Sequence, residues 1–192
     1  MTSIELLETS SEITLKNIHE VEKKINVLSD KQLKWRPNEQ TWSINEIFSH
    51  LNEYVKYYHQ VFATKISTTK FTEPKSQYIS SPLGKSAWKS MQLGVAKNIK
   101  RKFNSPRNYN PSVNKSLLND DTVPFFIHSQ KELMDIIDKA KFVNIQRVKV
   151  PISISKFIRL RLGDALLFVI YHNERHVYQA LNLLQHRAFP KD

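Results

Sequence analysis

The sequence predicts an all-α protein: a four-helix bundle with one extra basic amphipathic helix inserted between bundle helices 2 and 3. Three observations lead there. Only three of the 192 residues are glycine, and strands and tight turns consume glycine whereas helix interiors avoid it. Four long segments carry apolar residues at three- and four-residue spacing, each able to bury one stripe. One of them opens with an S-x-x-E helix-start signature, Ser43 and Glu46. The length suits one domain over 1–192, with a substantial core.

In chain order, Ile4, Leu7, Ile18, Val21, Ile25 and Leu28 mark an amphipathic helix over about 4–28. "SDKQLKWRPNEQT" reads as a loop, because Pro37 cannot continue a helix. The capped segment then carries Ile44, Ile47, Phe48, Leu51, Val55, Tyr58 and Phe62 on one stripe. It predicts a helix over about 42–66, roughly 37 Å long at ~1.5 Å per residue. Residues 67–82 are polar, hold Pro74 and Pro82, and read as a loop. Between Lys85 and Phe103 a second kind of helix is expected, with Trp88, Met91, Val95, Ile99 and Phe103 on one face and lysines on the other. "NSPRNYNPSVNKS" is an irregular connection, and Pro124 to Lys141 is helical. "RVKVPISIS" alternates like a strand, but Pro151 demotes it to an edge or an extended linker, and a sheet-based fold is rejected on that ground. A last helix, with Asp164 as its cap, runs to about Arg187 with Leu166, Ile170, Val177, Leu181 and Leu184 along one face. Four helices joined by loops of very unequal length make a bundle.

The absence of cysteine excludes disulfides and thiolate metal sites. No uncharged apolar run approaches the roughly 18 residues of a membrane span, and the N-terminal stretch has no apolar signal core. A cytoplasmic location is the expectation. The formal charge of +11 is unevenly placed. Between Glu73 and Asp120 stand Lys75, Lys85, Lys89, Lys97, Lys100, Arg101, Lys102, Arg107 and Lys115 with no acid, and a second acid-free run extends from Lys139 to Gly163.

Histidine placement carries the chemistry. His172 and His176 in "YHNERH" are one helical turn apart, about 5–6 Å at Cβ, so both can reach one ion. They interrupt a strip, Ala165, Val169, His172, His176, Gln179 and Leu183, that is apolar at both ends. His50 lies at the edge of the apolar stripe of the capped helix, with Tyr54 one turn on. Three inward histidines from two helices would leave coordination positions open, the arrangement of a catalytic rather than a structural site. The motif is not the metalloprotease H-E-x-x-H: Asn173 follows the first histidine, and Glu174, rotated by about 200°, points away and suits a salt bridge to an arginine. His19 and His186 read as surface or helix-end residues, His59 as lying on a polar flank and His128 as near a helix start. Trp42 reads as a packing staple.

"TWSINEIFSHLNEY", followed about 120 residues later by "LGDALLFVIYHNERHVYQALNLL", resembles the DinB/YfiT-like metalloenzymes. The matching pattern is W-S-x-x-E-x-x-x-H-L and H-x-x-x-H-x-x-Q: Trp42, Ser43, Glu46, His50 and Leu51, then His172, His176 and Gln179. The likeness covers most of the chain and thins between about 70 and 120, the basic insertion. It implies an up-down-down-up bundle binding a divalent ion through His50, His172 and His176, with zinc or nickel foremost and iron or manganese as alternatives. It also implies a metal-dependent thiol S-transferase or thiol-dependent isomerase acting with a low-molecular-weight thiol; a hydrolase is the alternative that an acidified water would allow. Neutral imidazoles leave the ion's charge intact, so a thiol in the open position would lose its proton, and a water would be acidified similarly. Tyr54 and Gln179 are candidates for orienting substrate or ligands. Ligation needs neutral imidazoles, so the ion is expected to leave as pH falls below about 6.

The rival reading is a non-enzymatic basic binding module for nucleic acid or another anionic partner, resting on the basic helix and on "RVKVPISISKFIRLRLG". No helix-turn-helix, RNA-binding or finger motif accompanies it, and aromatics are not interleaved with the charges as a stacking platform needs. A homodimer pairing through the Trp88 face is a further expectation.

Overall fold

The computed structural model describes residues 1–95 and 104–191. Its long helices are α1 (Ser3–Lys24), α3 (Ile44–Thr68), α5 (Thr122–Ala140) and α6 (Leu162–Leu184), with the shorter α2 (Asp30–Lys34) and α4 (Pro82–Met91) between them. Strands β1 (Lys149–Ile152) and β2 (Ser155–Arg161) form one antiparallel hairpin. Each of α1 and α3 packs against both α5 and α6, closing the bundle, and α4 lies along α6.

The start of α3 follows the capping box. Ser43 Oγ accepts from Glu46 N at 3.2 Å, and Ser43 N donates to Glu46 Oε2 at 2.9 Å. Glu46 Oε1 is also 3.5 Å from Arg36 Nη2 and 3.4 Å from Lys115 Nζ. The buried carboxylate thus joins the helix start to the preceding loop and to the insertion. α1 begins with a second capping box, Thr2 and Glu5.

The core forms two clusters. One holds Ile44, Ile47, Phe48 and Leu51 of α3 with Val177, Ala180 and Leu183 of α6. The other holds Tyr54, Tyr58 and Phe62 of α3 with Ala165, Leu166, Val169 and Ile170 of α6. On α3 the change of cluster falls between Leu51 and Tyr54, just past His50, and on α6 between Ile170 and Val177, the stretch that holds His172 and His176. The histidines sit where the apolar packing is interrupted.

Several expectations need correction. The basic helix does not run over 85–103: α4 begins at Pro82, ends at Met91, and gives way to an extended Gln92 (φ −59°, ψ 140°). Gly94, a poor helix former, follows at once, and Val95 is fully exposed. Ile99 and Phe103, on the expected apolar face, lie outside the described residues. Trp88 packs within its own chain, 6.0 Å from the Tyr171 ring and 3.2 Å from Ser80 Oγ. "RVKVPISIS" does enter a sheet. Lys149 pairs with Arg161, Val150 with Leu160 and Pro151 with Arg159. A two-stranded ribbon leaves each strand an edge, where the missing N–H of proline is tolerated. Asp164 does not cap α6, which starts at Leu162 after Arg161. Instead its Oδ2 accepts from Ser81 N (3.1 Å) and Ser81 Oγ (2.9 Å), tying α6 to the start of α4. The approach is close: a Cβ on Gly84 would stand 2.1 Å from Asp164 Oδ2. Among the described residues no helix is long and apolar enough to cross a membrane.

Candidate functional site

α3 contributes His50 and α6 contributes His172 and His176, and one ring nitrogen from each lies within 4.8 Å of the others. His50 Nε2 and His172 Nε2 are 3.2 Å apart. Two imidazole nitrogens, each about 2.0–2.1 Å from one tetrahedral ion, would stand about 3.3–3.4 Å apart. His50 and His172 are buried and His176 half-buried. The three residues could hold a metal ion.

The hydrogen-bond partners fix which nitrogens are available. His50 Nδ1 donates to the carbonyl oxygen of Tyr109 at 2.6 Å. A carbonyl only accepts, so the proton is on Nδ1 and the lone pair on Nε2. His176 Nδ1 donates to Gln179 Oε1 at 2.9 Å, again leaving Nε2 with the lone pair. With His50 Nε2 a lone pair, the 3.2 Å contact to His172 Nε2 requires either a proton on His172 Nε2 or a cation between the rings. His172 Nδ1 is buried without a hydrogen-bond partner. Nitrogens oriented by such neighbours are typical of metal-ligating histidines, whose other N–H is held by a carbonyl or side-chain oxygen. The donor set fits a divalent ion.

Electrostatics act in the same direction. Burial lowers the His50 pKa to about 4, partly offset by the Tyr109 carbonyl. His172 and His176 lie well below the ordinary histidine value, first through burial and then through neighbouring His and Arg175 charges. All three imidazoles are therefore neutral at pH 7, as ligation requires.

The site opens into a cavity of about 390 Å³, a size that suits a small molecule. Trp42, Tyr54, Phe168, Arg175 and Gln179 line it with the histidines, and Met91, Asn104, Ser105 and Pro106 close it from the insertion. The Trp42 ring stacks on His176 at 6.3 Å and tilts against His50 at 5.0 Å, so this residue is a wall of the cavity as well as a staple. Tyr54 lies 4.4 Å from the His172 ring and 5.0 Å from His50. Burial, with Tyr58 and Tyr109 nearby, raises its pKa, so it stays a phenol and serves as a donor rather than a base at neutral pH.

The other histidines are placed elsewhere. His19, His128 and His186 are exposed, and His186 packs on Trp35 at 5.3 Å. His59 departs from its expected polar flank: it is buried, 3.6 Å from Glu132. Glu174 faces away from the site, and its ion-pair partner is Lys16 at 3.6 Å rather than an arginine.

A sequence-family model described as the DinB superfamily matches residues 14–180. The chain belongs to the DinB superfamily. Neither comparison with curated proteins nor comparison with solved structures finds a match. In this DinB-superfamily chain the W-S-x-x-E segment does structural work: Ser43 and Glu46 cap α3 and Trp42 packs on the histidines. Sequence reasoning missed the contribution of the insertion, in particular the Tyr109 carbonyl, and it missed Arg175. The signal for Arg175 was available, since it stands three residues after His172 on α6, as Gln179 stands three after His176. No comparable signal marks a backbone carbonyl.

Proposed function

We propose that this DinB-superfamily protein is a metal-dependent enzyme acting on a small molecule. His50, His172 and His176 ligate a divalent ion, and thiol S-transfer or hydrolysis is the reaction. The observation that carries it is the convergence of three neutral imidazoles, two of them oriented by Tyr109 and Gln179, on the inner wall of a cavity of about 390 Å³. Zinc and nickel suit imidazole best, and iron or manganese can take the same ligands. Such an ion supplies Lewis-acid charge that makes a thiol or a water entering the cavity easier to deprotonate. The chain does the rest. Trp42 and Phe168 give the cavity apolar walls that limit water. The Tyr54 hydroxyl, held protonated, is a donor available to the substrate, and Gln179 keeps His176 in the Nδ1–H tautomer. A low-molecular-weight thiol and a cytoplasmic setting belong to the same reading.

Elemental analysis of tag-free protein, purified without chelator or a nickel column, tests it. About one divalent ion per chain is expected in the wild type and none in folded His172→Ala. No ion in either, even after zinc is added, removes the proposal.

A further inference from the structure

The β1–β2 hairpin presents a surface that the histidine cavity does not use. Its turn is fixed on α3: the Tyr57 hydroxyl donates to the Ile152 carbonyl at 3.1 Å, and Ser153 N donates to Tyr58 Oη at 3.3 Å. From that fixed turn Ile154 stands 64 % exposed and Phe157 97 % exposed. Side chains alternate between the two faces of a strand. Leu160 of β2 and its partner Val150 are buried, so Phe157, Arg159 and Arg161 share the outward face. Lys149 pairs with Arg161 and joins it there. Like charges directly opposite one another weaken a ladder, and no acid relieves this pair. The chain has none from Lys139 to Gly163, and among the described residues Lys149, Arg159 and Arg161 form no ion pair. The acids that bound the run are engaged elsewhere, Asp138 with Lys141 at 2.5 Å and Asp164 with Ser81.

The order along the ribbon points to the partner. Ile154 and Phe157 lie at the tip, Arg159 is two residues behind Phe157, and the Lys149–Arg161 pair two further back. At ~3.3 Å per residue these cations stand about 7 Å and about 13 Å behind the ring. An anionic lipid surface has its layers in the same order, an acyl boundary that apolar groups enter to a depth of about 5–10 Å and headgroup charge above it. Nucleic acid would suit the cations, but the aliphatic Ile154 and the partly exposed Ile158 offer a base no stacking surface. We propose that this hairpin docks the protein on an anionic membrane surface, with Phe157 and Ile154 entering the interface and Lys149, Arg159 and Arg161 meeting the headgroups. The inference is independent of the metal reading, since no ligand or cavity residue takes part in it.

The test is co-sedimentation of the full-length protein with vesicles of phosphatidylcholine alone and of phosphatidylcholine and phosphatidylglycerol in equal parts. Binding to the mixed vesicles is expected to be at least about tenfold stronger and to weaken as salt is added. Phe157→Ser should weaken it by about tenfold or more, the effect of withdrawing an aromatic ring from an apolar phase. Lys149→Glu should weaken it by about fivefold or more. That substitution also turns the like cross-strand pair into an opposite one, so its melting temperature should be no lower than that of the wild type. Weaker binding by a protein at least as stable as the wild type excludes unfolding as the cause. Equal binding to both kinds of vesicle, binding to neither, or anionic binding that survives in Phe157→Ser overturns the proposal. So does a wild type that ignores vesicles and instead binds single-stranded DNA, or associates with its own copies, through Phe157.

Discussion

Gln179 gives the sharpest check on how the site is built. Its Oε1 accepts from His176 Nδ1 at 2.9 Å, and this bond selects the tautomer that leaves His176 Nε2 free. Gln179→Ala removes the acceptor without touching a ligand. Loss of such an orienting partner lowers metal affinity by about 10- to 100-fold, which is about 1.4–2.8 kcal/mol at tenfold per 1.4 kcal/mol. Gln179→Glu replaces a neutral acceptor with a charged one, and charge-assisted hydrogen bonds are the stronger kind, so zinc affinity should follow the order Glu, Gln, Ala. The assay is competition for zinc against a chromophoric chelator at fixed pH, with circular dichroism to confirm that each variant is folded. A Gln179→Ala protein holding zinc within twofold of the wild type would refute the tautomer argument, because nothing else in the reasoning assigns the His176 proton to Nδ1.

Three further outcomes are expected. Gly84→Ala should destabilise by about 1–3 kcal/mol, as overpacked sites do. A Cβ there would stand 2.5 Å from the Cβ of Asp164, which no rotation of the carboxylate relieves, and an unchanged melting temperature would contradict this. Phe126→Ala empties a fully buried ring site 4.9 Å from the Phe48 ring and should cost about 3–5 kcal/mol in denaturant unfolding, with zinc affinity preserved in the folded protein. His59 supplies a pH dependence: burial lowers its pKa in the folded state, with Glu132 opposing. The unfolded chain then binds more protons than the folded one below about pH 6.5, so stability falls as pH falls through that value, by at most about 1.4 kcal/mol per unit per proton. Chemical unfolding of wild type and His59→Gln between pH 7 and pH 5 should show a shallower slope in the variant.

What was legible in the sequence follows from how each feature is encoded. α3 and α5 lie within two residues of their expected bounds, because periodic burial and, for α3, a capping box are local signals. α1 ends at Lys24, short of the expected 28, although Ile25 is still buried: the apolar stripe continues past the last helical turn. The helix over 85–103 fails for a different reason. Trp88 and Met91 keep the period, and Gly94 then ends it, a breaker that periodicity counting alone passes over. Asp164 looked like a cap because acids favour helix starts, yet its partner, Ser81, is 83 residues away. The histidines were legible because two lie at i and i+4 on one helix and the third sits on a capped helix whose buried side is clear. That all three share one point in space depends on how α3 meets α6, which no local pattern states.

The basic insertion changes meaning once the site is described. From sequence it is an appendage between bundle helices, and its charge suggests a nucleic-acid surface. In the fold it is tied to the bundle, and three of the ties bear on the site. Lys115 reaches Glu46 at the start of α3, Ser81 is held by Asp164 on α6, and the Tyr109 carbonyl accepts a hydrogen bond from His50 Nδ1. Met91, Asn104, Ser105 and Pro106 then close the cavity over the histidines. The long basic helix on which a nucleic-acid surface would rest ends at Met91. A carbonyl at 2.6 Å from His50 Nδ1 orients the imidazole as well as a side chain would. The segment is therefore part of the site: it sets the tautomer of His50 and supplies Met91, Asn104, Ser105 and Pro106 to the cavity wall. A change in this insertion that leaves all three histidines intact is still expected to alter what the cavity holds.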